Sequence, residues 1–337
     1  MVVSRAPHAG AFLFRKAKMF NSTTTEFMTN NESSKSIESL KNIELIAEIP
    51  CANILGEGVQ WNHREQAVWW TDIKSSKIYR YHLASRQLQT WDTPEAVGCF
   101  AFAENDERIL LALASGFAWF EKNTGAVEWI AKPEAHLIGN RLNDGRVDRQ
   151  GRFWAGSIVE QKNAPDQSAG LFSLDTQGKT QQHLSGLAIS NSLCWNLDST
   201  KLYHADSPSH QIKVYDFDAQ TGTLGDGKVF VQTSANVEPD GSCIDAEGCL
   251  WNAEWGGSRL VRYNSEGVQV GEFKTLVAQP TCMAFGGEDM NLLFVTSARI
   301  GLSEDALAAG PQAGNLFIYR TNFKGVNECW YKGVASK

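Results

Sequence analysis

The feature that most constrains the fold of this chain is a hairpin pattern that recurs six times. In each copy an apolar run leads into a short turn of polar residues, often with glycine, and a second apolar run follows. Turn formers between two apolar runs are typical of antiparallel strand pairs. The last apolar residues before the turns lie 41, 45, 48, 49 and 41 residues apart and are Trp61, Phe102, Val147, Trp195, Ile244 and Phe285.

A period of this length, with about four short strands in each unit, predicts an all-β fold, a six-bladed β-propeller. The sixth unit lacks an obvious outer strand, whereas the run IELIAEI at 43–49 stands unpaired before the first unit. We therefore assign this run to the last blade, where it closes the ring and removes its free edges. A β-sandwich or two unrelated all-β domains is the alternative, and six matching hairpins argue against it.

Polar side chains recur at one equivalent position of the repeat. The innermost strand of each propeller blade begins beside the central channel, so the residues four positions before the turn markers are predicted to surround one axis. Buried carboxylates and amides need a shared partner, and oxygen ligands suit Ca²⁺, Mg²⁺ or Mn²⁺. The alternative is that these groups cap strand ends or bind channel water. The six positions are Glu57, Gly98, Asn143, Asn191, Asp240 and Thr281.

Arg141 lies two residues before Asn143, so in an extended segment the two side chains share a face. A guanidinium beside a metal site is well placed to hold an anionic or hydroxyl-rich ligand. The alternative for Arg141 is a surface salt bridge. No His or Cys occupies the six positions, which disfavours a zinc site built on thiolates or imidazoles.

Several segments, in order, resemble the senescence marker protein/gluconolactonase family, which includes regucalcin and sugar-acid lactonases. They are LGEG at 55–58, RLNDG at 141–145, ISNSLCW at 189–195 and EPDGSCIDAEGCLW at 238–251. The resemblance extends over about residues 45–325. It implies a six-bladed propeller with one divalent cation in a central metal-binding channel. Calcium is the first expectation, with zinc, magnesium and manganese as alternatives.

Carried over residue by residue, the resemblance implies metal ligands at Glu57, Asn191 and Asp240. It implies substrate-binding residues at Arg141 and Asn143. A further family glutamate corresponds to Glu160 or Gln161, within the segment SIVEQ. The glycine that usually follows the metal-binding asparagine is Ser192 here, a change that we expect to matter little.

The reaction that the resemblance implies is hydrolysis of a small-molecule sugar lactone to the aldonic acid. The cation would polarise the lactone carbonyl, and Asp240 is the candidate general base for an attacking water. The alternatives are a calcium-binding protein without relevant turnover and a hydrolase of another ester class. Arg141 and Asn143 favour the lactonase, since a pure cation binder needs no substrate clamp. No G-x-S-x-G or H-E-x-x-H motif offers other hydrolytic machinery.

Charge and composition limit the partners and the domain organisation that this chain can have. A net charge of −7 argues against nucleic acid and anionic membranes as partners, and no apolar run approaches the roughly 18 residues of a membrane span. No obligate protein partner is evident. Residues 1–42, basic at first and then rich in Ser, Thr and Asn, predict a disordered extension before a single domain at 43–337.

The cysteines and two other polar residues complete the expectations. Cys194, Cys243 and Cys282 lie in inner-strand apolar runs, which predicts reduced core residues and a cytoplasmic protein. His204 is expected to pack or to support the site, and Asp206 to form a turn or to bond on the channel side. The long connections at 161–168 and 301–314 are candidates for lids over the channel mouth.

Overall fold

The computed structural model describes residues 40, 42–161 and 165–333 and forms six four-stranded antiparallel sheets. In blades 1 to 5 the strands follow chain order from the channel outward. Blade 6 combines three strands from the end of the chain with the first strand on its outer edge. The predicted six-bladed propeller and its closure by the early strand are therefore confirmed. The predicted extension at 1–42 lies, apart from Leu40 and Asn42, outside the described residues.

The two strands nearest the channel in each blade are almost entirely buried. Neighbouring blades pack on both of their faces, so these strands read as continuous apolar runs. The innermost strands are β2 (Gly56–Asn62), β6 (Val97–Phe102), β10 (Asn140–Val147), β14 (Ser190–Trp195), β18 (Glu238–Ile244) and β22 (Pro280–Gly286). The second strands are β3 (Ala67–Asp72), β7 (Ile109–Leu113), β11 (Phe153–Val159), β15 (Lys201–Asp206), β19 (Leu250–Trp255) and β23 (Leu292–Ser297).

The outermost strands mix exposed and partly buried residues, as expected of half-covered edges. The third strands are β4 (Lys77–His82), β8 (Gly116–Phe120), β12 (Ala169–Leu174), β16 (Gln211–Asp216), β20 (Arg259–Tyr263) and β24 (Leu316–Arg320). The outer strands are β5 (Gln87–Asp92), β9 (Val127–Ala131), β13 (Thr180–Leu187), β17 (Lys228–Gln232), β21 (Gln269–Lys274) and β1 (Glu44–Ile49), which pairs with β24.

Helical structure is slight in the part of the chain that the structure describes. A 3-10 turn, Ser207–Ser209, follows β15, and one short helix, α1 (Glu304–Ala309), lies in the long connection between β23 and β24. No helix among the described residues is long and apolar enough to cross a membrane.

The core is divided into apolar clusters that join neighbouring blades. Trp154 of blade 3, for example, meets Trp195 of blade 4 with ring centroids 5.7 Å apart. Cys194, Cys243 and Cys282 are buried free thiols within these layers, as predicted.

Each innermost strand has a register shift where it begins beside the channel. In β2 the shift lies between Glu57 and Gln60, and in β14 it lies between Asn191 and Cys194. A bulge twists the strand locally and re-aims its side chains. The backbone after the ring residue turns left-handed in two of these bulges, with φ of 59° at Gly58 and 62° at Ser192. Ser192 therefore bears a backbone cost of roughly 1–2 kcal/mol that glycine would avoid.

The last described residues close the opposite end of the channel. After β24 the chain pairs with blade 5 at Asp245 and Gly325, and then with blade 2 at Ala103 and Tyr331. The hydroxyl of Tyr331 also donates to the carbonyl of Asp175 in blade 3, at 2.6 Å. This C-terminal strap, residues 321–333, thus spans the end of the propeller that lies opposite the starts of the inner strands.

Candidate active site in the channel

The six equivalent positions predicted from the repeat do lie at the starts of the innermost strands, but only four present an oxygen ligand to one another. Thr281 instead donates to the carbonyl of Gly56 at 2.5 Å. Gly98 has no side chain, and a Cβ there would lie 2.4 Å from the carbonyl oxygen of Asn143. The other four side chains are at least nine-tenths buried: Glu57, Asn143, Asn191 and Asp240.

Glu57 and Asp240 form a pair of neighbouring buried carboxyl groups. Burial is the largest cause that raises the pKa of each, and for Asp240 the neighbouring charge of Glu57 comes next. The carboxylate of Asp144 raises the pKa of Glu57 further. Within the described residues neither member of the pair forms a salt bridge, and the one hydrogen bond to a backbone amide is from Gly58 to Glu57, at 3.1 Å.

A chain of hydrogen bonds holds the two asparagines in place. The Arg141 Nη1 donates to Asn143 Oδ1 at 2.7 Å, and Asn143 Nδ2 donates to Asn191 Oδ1 at 3.0 Å. Asn191 Nδ2 then donates to Ser207 Oγ at 2.9 Å, and this hydroxyl donates to the carbonyl of Pro239 at 2.8 Å. Because both amide nitrogens are engaged as donors, the two amide oxygens are fixed in orientation.

Arg141 is buried at the channel, with its side chain only 5% exposed, and is not the surface residue of the alternative interpretation. Its Nε donates to Glu160 Oε1 at 2.6 Å. Between the two sequence candidates, Glu160 is therefore the one whose side chain contacts Arg141. Partial burial raises the pKa of Glu160, but Arg141 and Lys74 outweigh it and hold this pKa below its ordinary value.

His204 and Asp206 support the site from behind. The Nε2 of buried His204 lies 2.8 Å from Ser190 Oγ, next to Asn191, and burial lowers the pKa of this imidazole to about 3. Asp206 Oδ1 accepts from the amides of Ala188 and Ile189, so it forms a turn and does not line the channel.

Sequence reasoning missed three residues of this region. Asp144 follows Asn143 directly and accepts the amide of Leu193 at 3.2 Å, so its adjacency to the motif was the available signal. Ser207 directly follows Asp206 and would have been found by asking what orients Asn191. Lys74 lies in an ordinary hairpin turn and gave no signal.

The donor set fits a hard divalent cation. In the described part of the chain no three His, Cys, Asp or Glu side chains form a metal-binding group. The candidate set instead combines the two carboxylates Glu57 and Asp240 with the amide oxygen of Asn191. Two adjacent buried carboxylates without a cationic partner are costly, and a cation held by oxygen ligands would remove that cost.

The fold and this donor set define a class, a six-bladed propeller with an oxygen-lined polar centre. The family profile described as "SMP-30/Gluconolactonase/LRE-like region" matches residues 55–299. The chain is 37% identical to L-arabinolactonase of Azospirillum brasilense, over 84% of this chain and 93% of that protein. It is 34% identical to 6-deoxy-6-sulfogluconolactonase of Pseudomonas putida, over 83% and 96%.

A solved structure of regucalcin from Agrobacterium tumefaciens, titled a calcium-binding protein, superposes with a TM-score of 0.80. Its sequence is 31% identical, and the match covers 86% of this chain and 98% of that one. The chain belongs to the SMP-30/gluconolactonase/LRE-like family, as its motifs predicted.

Proposed function

We propose that this protein hydrolyses a sugar lactone to the corresponding aldonic acid, with one divalent cation, calcium first, at the ring of Glu57, Asn191 and Asp240. The observation that carries this proposal is the joined arrangement of a carboxylate pair and a guanidinium–amide–carboxylate chain in one buried channel. Family membership and the lactonase names of two relatives support it. Glucono-, galactono-, arabinono- and xylonolactone are the candidate substrates.

The polar chain suits a hydroxyl-rich ring. The Nε and Nη1 atoms of Arg141 donate to Glu160, Leu142 and Asn143. The remaining nitrogen, Nη2, has no hydrogen-bond partner among the described residues. This nitrogen is thus a donor for a ring hydroxyl or the carbonyl oxygen, and Glu160 Oε2 is an acceptor for a hydroxyl. A rigid donor and acceptor pair of this kind orients a substrate at low entropic cost.

Asp240 is the proposed general base. A water attacks the carbonyl carbon of the lactone and passes its proton to the Asp240 carboxylate, and the ring C–O bond then breaks. The ring oxygen takes up a proton and leaves as the new hydroxyl group, so atoms and charge balance. Burial and the neighbouring Glu57 raise the pKa of Asp240 in the metal-free protein, and a bound cation would lower it, so Asp240 is a weak base whose contribution is its place beside the attacking water. The bound cation supplies Lewis-acid stabilisation of the developing oxyanion.

The test is hydrolysis of these four lactones by the purified protein, followed by proton release. The protein is stripped with EDTA and then given Ca²⁺, Mg²⁺, Mn²⁺ or Zn²⁺ in turn. Turnover that depends on the cation and on Asp240 supports the proposal. No turnover on any lactone, with cation binding intact, overturns it.

That last outcome would favour the second candidate, a calcium-binding protein of the regucalcin kind. The observation in its favour is the likeness to a solved structure titled as calcium-binding regucalcin. The same three candidate ligands, Glu57, Asn191 and Asp240, would hold the cation in either function. The Arg141–Glu160 pair distinguishes them, since neither residue is among the three candidate ligands of the cation.

A further inference from the structure

The connections between second and third strands differ in length around the channel mouth, and the one in blade 2 is the shortest. The mouth is the end where the inner strands begin, so the connections between second and third strands surround it. In blade 2 this connection is a two-residue turn between Leu113 and Gly116, whereas residues 73–76 form it in blade 1 and residues 160–168 in blade 3. Blades 1 and 3 therefore flank the shortest of these connections.

Lys74 reaches from blade 1 to blade 3 beside this short connection. Its Nζ lies 2.7 Å from Glu160 Oε1, although the two residues are 86 positions apart. The turn that carries Lys74 is well anchored, since Asp72 accepts the amides of Ile54 and Leu55 and the hydroxyl of Ser75. The base of the lysine is thus fixed to the segment that leads into Glu57.

This ion pair is too exposed to serve stability. The side chains of Lys74 and Glu160 are 31% and 35% exposed, and pairs of this kind contribute roughly 0–1 kcal/mol. Glu160 Oε1 accepts hydrogen bonds from two cationic groups, Lys74 Nζ and Arg141 Nε. Within the described residues Glu160 Oε2 has no hydrogen-bond partner, and Lys74 Nζ makes one bond of the three that it can donate.

We infer that Lys74 and Glu160 form a mouth clamp that binds the hydroxyl-bearing arm projecting from a lactone ring, which makes Lys74 a specificity-determining residue. An ammonium beside a free carboxylate oxygen offers one donor and one acceptor at adjacent points. A hydroxyl group or a vicinal diol satisfies both. The inference rests on the proposed function and names the part of the substrate that the mouth recognises.

The experiment compares lactones with and without this arm. L-arabinono-γ-lactone and D-galactono-γ-lactone carry exocyclic hydroxyls, whereas D-erythronolactone has ring hydroxyls and no exocyclic carbon. We expect Lys74→Met to raise KM for the two armed lactones about tenfold, as for loss of a hydrogen bond from a charged group. We expect kcat to stay within about twofold, KM for the armless lactone to be unchanged, and Lys74→Arg to recover most of the loss.

The matched control is Lys77→Met, three residues away in the same hairpin. Lys77 pairs with exposed Asp92 on the outer strand and leaves the mouth untouched. We expect it to alter no KM. An equal rise of KM for armed and armless lactones, or no rise for any of them, would overturn the mouth clamp.

Calorimetric binding of the same lactones to the parent and to Lys74→Met separates this inference from the proposed function. If the parent turns over no lactone yet binds the armed ones more tightly than the variant does, the lactonase proposal fails and the clamp stands. If neither protein binds an armed lactone, both are overturned.

Discussion

The two ends of the channel balance their buried charge in opposite ways. At the mouth, Glu57 and Asp240 lie together without a salt bridge among the described residues. At the other end the buried guanidinium of Arg146 donates to the carbonyl of Met283 at 3.2 Å and lies 3.4 Å from Glu328 Oε1. The C-terminal strap delivers that glutamate, so the chain itself supplies the counter-charge.

The comparison shows which end is built for a ligand. Beside Arg146 lies a cavity of about 20 Å³, lined also by Trp195 and Glu328, which has room for about one water molecule. Burial raises the pKa of the thiol of Cys194, which lines this cavity, and of Cys282, which Arg146 contacts, so both are neutral packing groups. The strapped end is therefore structural, whereas the mouth holds a buried carboxylate pair that has no salt-bridge partner among the described residues.

The largest expected effect is at the mouth. Asp240→Asn should lower kcat about a thousandfold, as for loss of a general base, and should abolish tight cation binding. The metal-free variant should melt no lower than the parent at neutral pH, because the change relieves two adjacent buried carboxylates. Turnover assays, calcium titration and calorimetric melting check this. Asp226→Asn, an exposed carboxylate, is the control, and activity within tenfold of the parent would contradict the assignment.

The next effect is at the strapped end. Arg146→Met should lower the free energy of unfolding by about 2–3 kcal/mol, since it leaves the Met283 carbonyl and Glu328 without their partner. Urea unfolding measures it. Well below the melting temperature, kcat and cation affinity should stay close to those of the parent. Arg149→Met, which borders the same cavity, should cost less than about 1 kcal/mol. Loss of cation affinity in Arg146→Met would mean that the two ends are coupled.

The pH dependence of stability tests whether the side chain behind Asn191 is uncharged. The pKa of His204 is about 3 in the folded protein, below the ordinary 6.5, mainly because of burial. The unfolded chain therefore binds the proton more readily, and stability is lost as pH falls below about 6.5, by up to about 1.4 kcal/mol per pH unit. His204→Phe should reduce the slope of unfolding free energy between about pH 6 and 4 by up to one proton. His136→Asn, which is exposed, should leave the slope unchanged.

The smallest expected effect concerns orientation of a candidate ligand. Ser207→Ala removes the hydroxyl that joins Asn191 Nδ2 to the Pro239 carbonyl. We expect calcium affinity to fall about three- to tenfold, the value of about one hydrogen bond, with little change in melting temperature. Ser209→Ala, in the same 3-10 turn but exposed, is the matched control for calorimetric titration. Equal affinities of both variants would show that Asn191 needs no such support.

Much of the fold was predictable because its signals are local. Each hairpin carries its own turn residues and apolar runs, so the markers from Trp61 to Phe285 predicted the blades without knowledge of any distant contact. The closing strand was predictable for the complementary reason, since Glu44–Ile49 had no partner nearby in the chain. The repeat also predicted which residues are equivalent, because a propeller places equivalent positions of its repeat around one axis. These residues are Glu57, Asn143, Asn191 and Asp240.

Other features depended on contacts that no local pattern encodes. The choice of Glu160 over Gln161 rests on which side chain meets Arg141 across the blade. Thr281 donates to the carbonyl of Gly56 and does not face the other ring residues. This contact forms because blades 6 and 1 meet where the propeller closes.

The sequence by itself determined the number of blades, the closing strand, the family and the residues that share the ring, because periodicity and motifs record repeated local structure. Only the tertiary structure decided that Lys74 meets Glu160, that Glu328 meets Arg146, and that Ser207 orients Asn191. These pairs join turns and a terminal strap from separate parts of the chain, and their geometry is set by how the blades pack.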